Sequence, residues 1–86
     1  MKKVIRTRGY QKDLKAIPAK DREAVEDHVA LLEGDWSGLD VKPIQATNLW
    51  RLRIRSYRVF FRIEPDGKVQ IILVLGTRRR TTTTYH

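Results

Sequence analysis

Arginine dominates the second half of this sequence, and its spacing there is regular. From Leu49 to Ile54, apolar residues alternate with Arg51 and Arg53, and Arg55 follows at the next position of the pattern. A period of two is typical of a β-strand, in which successive side chains point to opposite faces. Arginine binds phosphate through paired, planar hydrogen bonds and stays charged at any physiological pH. The pattern therefore predicts a strand that carries a row of anion-binding groups on one face.

A second strand is predicted from Tyr57 to Glu64, joined to the first by a two-residue turn at Arg55-Ser56. In this register Arg53 lies directly opposite Arg58. The side chains then sort into an apolar face (Trp50, Leu52, Ile54, Tyr57, Val59 and Phe61) and a basic face without an acid (Arg51, Arg53, Arg58, Phe60 and Arg62). A slip of one residue would mix the two sets.

The basic face of this hairpin, which we call the arginine face, indicates an anion-binding surface. Like charges directly opposite one another destabilise a sheet, so a bound anion would account for their placement. Phe60 lies among the arginines, where its ring could stack on a base or cover a guanidinium. The alternative is an ordinary solvated sheet face with spread charges.

A third strand is predicted at Val69–Leu75. The Pro65-Asp66-Gly67 segment is a strong hairpin signal. A three-residue turn there pairs Phe61 with Ile71 and places Leu73 and Leu75 on the core face.

The basic segment Arg78-Arg79-Arg80 follows the third strand. By parity Arg78 continues the arginine face, about 13 Å beyond the position that faces Arg58. The chain must therefore bend near Gly76 if these arginines are to converge. The alternative is a frayed basic tail that binds phosphates without selectivity.

The charge distribution points to a polyanionic partner. Residues 49–86 contain nine basic and two acidic residues, a net charge of +7, whereas residues 1–48 have a net charge of +1. Such a half-chain favours binding to nucleic acid, an anionic surface or an acidic protein. The absence of cysteine excludes a disulfide scaffold, a thiolate metal site and a cysteine nucleophile. With neither a membrane-spanning apolar run nor a signal-peptide pattern, a cytoplasmic protein is expected.

The first half of the chain predicts a strand and a pair of helices. The strand covers residues 3–7, one helix runs from about Gly9 to Ile17, and a second runs from Pro18 to about Glu33. Residues 35–48 read as a connector with a short edge strand at 41–44. The 86 residues predict one α+β domain, in which the N-terminal strand and both helices pack on one face of an antiparallel sheet ending in a β-meander.

RNA cleavage is a reaction that such a surface could support. RNA supplies its own nucleophile, the 2′-OH, so the protein must only align it, stabilise charge, and accept and donate a proton. Arginine is a poor base, and the candidate proton-transfer groups near the basic half are Tyr85 and His86. His28 lies within a predicted helix and is expected to be structural or on the surface. No metal-ligand pattern is present, and no cofactor is expected.

The stretch from Leu49 to Phe61, together with residues 74–78, resembles the RelE/ParE toxin superfamily of bacterial toxin–antitoxin modules. The similar features are the basic strand, the Tyr57-Arg58 hairpin and the Gly-x-Arg motif that ends the last core strand. The resemblance implies a small α+β fold with helices packed on a sheet. RelE-like members cleave mRNA in the ribosomal A site, whereas ParE-like members poison DNA gyrase.

The resemblance also implies roles for individual residues. It assigns catalysis to Arg51, Arg53, Arg58, Arg78, Tyr85 and His86. RNA binding is expected from Arg55, Phe60, Arg62, Arg79 and Arg80. The expected function is a metal-independent, ribosome-dependent mRNA endoribonuclease that a cognate antitoxin holds inactive in a hetero-oligomer. The alternatives are a ParE-like gyrase inhibitor without nuclease activity and a basic RNA-binding module.

Overall fold

The structure, a computed structural model, describes residues 1–79 of the chain. Its elements in chain order are β1 (Lys2–Arg6), α1 (Arg8–Lys15), α2 (Ala19–Ala30), a 3-10 turn (Leu31–Glu33), β2 (Val41–Pro43), β3 (Leu49–Ile54), β4 (Tyr57–Asp66) and β5 (Val69–Arg79). The predicted helix pair, edge strand and C-terminal strands are all present. Among residues 1–79, no helix is long and apolar enough to cross a membrane.

The strands form one five-stranded sheet in the order β1-β5-β4-β3-β2. β2 to β5 are antiparallel, and β3, β4 and β5 form the predicted meander. β1 departs from the predicted antiparallel arrangement because it pairs with β5 in parallel. A parallel pair needs a long connection, and here the helices, the connector and strands β2 to β4 lie between the two strands. The α+β class is confirmed, with a mixed sheet.

Both helices cover the same face of this sheet. Tyr10 and Ile17 of the first helical segment are buried, as are Val25, Val29 and Leu32 of the second. Their spacing of three, four and seven residues places them on one side of each helix. They pack against the buried strand residues Val4, Leu52, Ile54, Tyr57, Val59, Phe61, Ile72 and Val74. The opposite face of the sheet has no helix over it among residues 1–79.

The first hairpin has the predicted register. β3 and β4 pair Ile54 with Tyr57 and Arg53 with Arg58, joined by a two-residue turn. Arg55 opens that turn with φ of 52°, in the left-handed region. All the predicted apolar residues on this hairpin are buried except Trp50, which is half-buried.

The second hairpin has a different register from the predicted one. β4 continues to Asp66, which pairs with Val69, so Gly67 and Lys68 alone form the turn. Gly67 has φ of 63°, a conformation that glycine adopts without steric cost. The predicted three-residue turn was wrong because Pro65 and Asp66 belong to the ladder rather than to the turn.

This two-residue turn reverses the faces of the predicted third strand. Phe61 pairs with Val74 rather than with Ile71, a shift of three positions. Because side chains alternate along a strand, an odd shift exchanges the two faces. Ile72 and Val74 therefore enter the core, whereas Leu73 and Leu75, predicted as core residues, are only half-buried on the opposite face.

A buried tyrosine links α1 to α2. The Tyr10 hydroxyl donates a hydrogen bond to Glu26 Oε1 at 2.6 Å, and Arg6 Nε donates to Glu26 Oε2 at 3.1 Å. Burial, reinforced by the hydrogen bond to Glu26, raises the pKa of Tyr10 well above its usual range. The folded protein therefore holds this hydroxyl protonated.

The Tyr10→Phe substitution is expected to lower the free energy of unfolding by about 1.5–3 kcal/mol at neutral pH, because Glu26 loses a hydrogen bond. The raised pKa also means that the tyrosine's contribution is present below the unfolded pKa of about 10 and is lost as the pH rises above it. Urea unfolding between neutral and alkaline pH should show a smaller alkaline loss of stability in the variant. If the free energy of unfolding of the variant fell with alkaline pH as steeply as that of the unmodified protein, the stabilising role of the Tyr10 hydroxyl would be contradicted.

Candidate nucleic-acid interface

Three arginines form a row across three neighbouring strands on the face that the helices leave open. β3 and β4 pair Arg53 with Arg58, and β4 and β5 pair Arg58 with Arg78. Adjacent strands lie about 4.8 Å apart, so the whole row spans about 10 Å at the backbone. Arg58 and Arg78 are exposed and Arg53 is half-buried. The predicted gap of about 13 Å between Arg78 and the position facing Arg58 was therefore wrong.

A β-bulge contributes to this convergence. The register of β4 and β5 shifts by one residue between Phe60 and Phe61, and Leu75 is the extra residue. The bulge and the two-residue turn each reverse the face of Arg78, so their effects cancel. Arg78 therefore lies on the arginine face, as predicted, but through two irregularities that the prediction did not contain.

An aromatic residue lies beside the row. Phe60 pairs with Arg51 on one side and with Gly76 on the other. Because glycine has no side chain, the Phe60 ring has no cross-strand neighbour on the β5 side. An open cleft of about 340 Å³ lies there, lined by Asp13, Leu49, Phe60, Leu75, Gly76 and Arg78. It joins an aromatic surface to a cation, which is the pairing that stacks a base beside its phosphate.

The arginine face contains acids, contrary to the prediction. Asp40, from the connector, lies 3.2 Å from Arg51 Nη1 and 3.9 Å from Arg53 Nε. Glu64 lies 2.9 Å from Arg62 Nη2. Asp40 was not predicted as part of this face, although its position directly before the edge strand that pairs with β3 could have indicated it.

These ion pairs divide the arginine face into two parts. Arg51 and Arg53 share one carboxylate: Arg51 donates a hydrogen bond to it, whereas Arg53 Nε, at 3.9 Å, has no hydrogen-bond partner among the described residues. Within residues 1–79, no carboxylate lies within 4 Å of the guanidinium nitrogens of Arg58 or Arg78. Two cations that are directly opposite and unneutralised repel each other. An anion bound between them would relieve that repulsion.

Two of the predicted RNA-binding arginines lie away from this row. Arg55 Nη1 is 3.0 Å from Asp21 Oδ1 of α2, on the side that the helices cover. Asp21 Oδ2 also accepts a hydrogen bond of 3.0 Å from the hydroxyl of Tyr57. Burial, together with this bond, raises the pKa of Tyr57. Arg79 pairs with Tyr57 and lines a second cavity of about 220 Å³ beside the helices.

The remaining predicted residues lie elsewhere in the chain or beyond its described part. Arg62 lies on the arginine face beside Glu64, and His28 lies on α2, where its Nδ1 is 2.8 Å from the backbone oxygen of Ala24. Arg80, Tyr85 and His86 fall outside the described residues. In the described part of the chain, no group of three or more histidine or acidic side chains could hold a metal ion.

A family model described as the ParE toxin of the type II toxin–antitoxin system parDE matches residues 4–81. No curated protein matches the chain.

Solved structures with the same fold come from toxin–antitoxin systems. An archaeal RelE–RelB complex from Pyrococcus horikoshii is similar with a TM-score of 0.69 and 23% identity, covering 93% of this chain and 96% of that one. A RelBE complex from Mycobacterium tuberculosis gives 0.66 and 22%, covering 90% and 95%. A YoeB/ParE toxin from Agrobacterium tumefaciens gives 0.68 and 20%, covering 92% and 99%. Because the family model spans nearly the whole sequence, the chain belongs to the family of ParE toxins of type II toxin–antitoxin systems.

Proposed function

We propose that this toxin is a ribosome-dependent endoribonuclease that cleaves mRNA. The observation that carries the proposal is the row formed by Arg53, Arg58 and Arg78, in which the last two have no carboxylate within 4 Å of their guanidinium nitrogens among residues 1–79. Three paired strands hold the backbone of the row, so its positive charges are brought close together before substrate binds. Fixed guanidinium groups stabilise a phosphorane, which carries more charge than the ground-state phosphate, better than they stabilise the substrate.

The proposed reaction is attack by the 2′-oxygen on the adjacent phosphorus. A bond forms between the 2′-oxygen and phosphorus, and the bond from phosphorus to the 5′-oxygen of the next nucleotide breaks. The 2′-hydroxyl proton passes to an acceptor and the leaving oxygen receives a proton, so the products are a 2′,3′-cyclic phosphate and a 5′-hydroxyl. Arg58 and Arg78 bind the non-bridging phosphate oxygens, and Tyr85 and His86 are the proposed proton-transfer groups.

The flanking residues bind and orient the RNA in this proposal. Phe60 offers a stacking surface for a base next to the scissile phosphate, on the cleft that Arg78 also lines. Arg51 and Arg53, which lie beside Asp40, bind the neighbouring RNA backbone. The ribosome presents the mRNA in the A site, so that the toxin acts on single-stranded codons.

A cognate antitoxin is the second proposed partner. Two of the similar solved structures are complexes of a toxin with its antitoxin. On this chain, the +7 charge of residues 49–86 favours an acidic or amphipathic segment that covers or displaces the elements bordering the arginine face.

The rate of antitoxin association is expected to fall by about tenfold or more when salt is raised from low to high concentration, because salt screens the electrostatic attraction. Stopped-flow measurements at several salt concentrations test this. Arg78→Ala should weaken the salt dependence more than Arg8→Ala, which removes the same charge from the exposed start of α1. A rate that is indifferent to salt would contradict the electrostatic argument.

A gyrase inhibitor without nuclease activity is the second candidate function. The observation that favours it is the description of the matching family model as a ParE toxin. An inhibitor of this kind needs a binding surface but no proton-transfer group. In this alternative the arginine face binds the target protein, and Tyr85 and His86 have no chemical role.

Expression of the toxin without its antitoxin distinguishes the two functions. The proposed nuclease should stop protein synthesis within minutes, and primer extension should show cuts within translated mRNA. A gyrase inhibitor should instead induce the DNA-damage response while mRNA stays intact. DNA damage with uncut mRNA would overturn the nuclease proposal.

A further inference from the structure

Once the turn at Gly67 has set the register of β5, the position of Arg78 depends on the bulge at Leu75. From Asp66 to Phe61, β4 pairs with β5 without interruption, ending at Phe61 opposite Val74. An unbroken continuation would place Arg78 opposite Tyr57, on the face that the helices cover. Instead, the bulge at Leu75 brings Arg78 opposite Arg58. Bulges of this kind re-aim side chains at functional sites.

The bulge occurs where β5 loses its other neighbour. β1 pairs with β5 only as far as Arg6, which lies opposite Val74. Beyond that point α1 takes the place of β1 beside β5. The hydroxyl of Thr7, which caps α1, donates a hydrogen bond of 2.7 Å to the backbone oxygen of Val74. The bulge is thus held on the β1 side by the start of α1.

Asp13 holds the bulge from its other end. Its Oδ2 accepts a hydrogen bond of 3.1 Å from the backbone N–H of Thr77. This N–H faces away from β4, and the carboxylate takes the place of the missing partner strand. Gly76 makes the approach possible, because a Cβ there would lie only 2.7 Å from the same oxygen. Asp13 and Gly76 therefore fit each other, and the N–H that Asp13 binds belongs to Thr77, the residue directly before Arg78.

We propose that Asp13 is a positioning residue that holds the Leu75–Gly76 bulge and thereby keeps Arg78 in the row with Arg58. Its importance for activity rests on the proposed function, since the row is the proposed phosphate site. The bond accepted from Thr77 requires an oxygen acceptor but no charge. Asparagine at position 13 should therefore preserve this hydrogen bond and the position of Arg78, whereas alanine should not.

The test compares Asp13→Ala, Asp13→Asn and Asp27→Ala, the last as a control that removes an exposed carboxylate from α2. Asp13→Ala should reduce mRNA cleavage by about tenfold or more, because Arg78 would no longer be held in the row that stabilises the transition state. Asp13→Asn and Asp27→Ala should each stay within about twofold of the unmodified toxin. An Asn variant as impaired as the Ala variant would overturn the proposal, because the charge or a proton would then be what matters.

A double-mutant cycle tests whether Asp13 acts through Arg78. In an Arg78→Ala background, Asp13→Ala should have almost no further effect, because residues that act as a unit are not additive. An equal loss in both backgrounds would contradict the proposal. If Arg78→Ala leaves cleavage unchanged, the proposed phosphate site fails, and the placement of Arg78 is then decided by the structural measurement alone.

That measurement is the cross-strand pairing seen by NMR. Contacts between Arg58 and Arg78 should be present in the unmodified toxin and in Asp13→Asn, and weakened or lost in Asp13→Ala. If Asp13→Ala does not fold, Gly76→Ala provides the second variant, because its Cβ displaces the carboxylate without removing it. Persistence of the contacts when the bond to Thr77 is broken would overturn the positioning role.

Discussion

The Arg58→Ala toxin is expected to lose mRNA cleavage by about 10²-fold or more while keeping its fold. The size of the effect follows from the central position of Arg58 in the row, with Arg53 on one side and Arg78 on the other. A guanidinium that stabilises charge only in the transition state contributes a factor of this order. Single-turnover cleavage of ribosome-bound mRNA measures it directly, and growth arrest on expression should disappear.

The fold should survive because Arg58 is exposed and pairs with no acid among residues 1–79. Its removal also relieves repulsion with its neighbours, so the thermal unfolding temperature should be unchanged or slightly higher. Arg8→Ala is the matched control, since it removes one positive charge from an exposed residue outside the row and should leave cleavage intact. A correctly folded Arg58→Ala toxin that cleaves normally would refute the assignment of this residue.

Deletion of Tyr85 and His86 is expected to lower cleavage by about 10²–10⁴-fold, the usual contribution of general acid–base catalysis. Binding to RNA and to the ribosome should be nearly unaffected, because the arginines provide it. The described hydrophobic core lies between Val4 and Val74, so the deletion removes none of it. The comparison of the dissociation constant with the cleavage rate separates binding from chemistry.

The two single variants identify the group that transfers the proton. If His86 titrates, the cleavage rate should bend near pH 6–7, about where an unperturbed imidazole changes its charge, and His86→Gln should remove that bend. Tyr85→Phe tests the hydroxyl, and Thr82→Ala controls for changes in the tail. A toxin without both residues that cleaves at the normal rate would exclude both. The acceptor would then have to come from the ribosome, the RNA or the solvent.

The two largest predicted effects test different parts of the mechanism. Loss of Arg58 removes charge stabilisation, whereas loss of Tyr85 and His86 removes proton transfer. A gyrase inhibitor would respond to the first change through weaker binding and would not respond to the second. The pair of variants therefore also discriminates between the two candidate functions.

The elements and the first hairpin could be predicted from the sequence alone. Alternation from Trp50 to Ile54, which continues less strictly from Tyr57, leaves a single register that separates the apolar residues from the arginines, because the side-chain period of a strand is two. Helical spacing likewise identified the buried sides of both helices, including Val25 and Val29. The resemblance to RelE/ParE toxins in the same stretch agrees with the family that the chain belongs to.

The position of Arg78 beside the other arginines could not be predicted from the sequence, because it depends on the register of β5 in the folded sheet. The run from Val69 to Leu75 is apolar on both faces except for Gln70, so no alternation defined its register. The turn at Gly67 and the bulge at Leu75 each change the register of β5. Contacts between distant parts of the chain accompany these irregularities, chiefly the hydrogen bond from Thr77 to Asp13, 64 positions earlier.

The charge balance of the arginine face was also decided by the tertiary structure. Within the hairpin, Arg51 and Arg53 have no acid near them in sequence. The connector brings Asp40 to them because β2 pairs with the edge of β3. The sequence thus determined which residue types form the candidate site, since residue spacing along one strand is local. Which of those arginines remain available to bind an anion depends on contacts between distant parts of the chain, such as that of Asp40 with Arg51, and these form only in the folded protein.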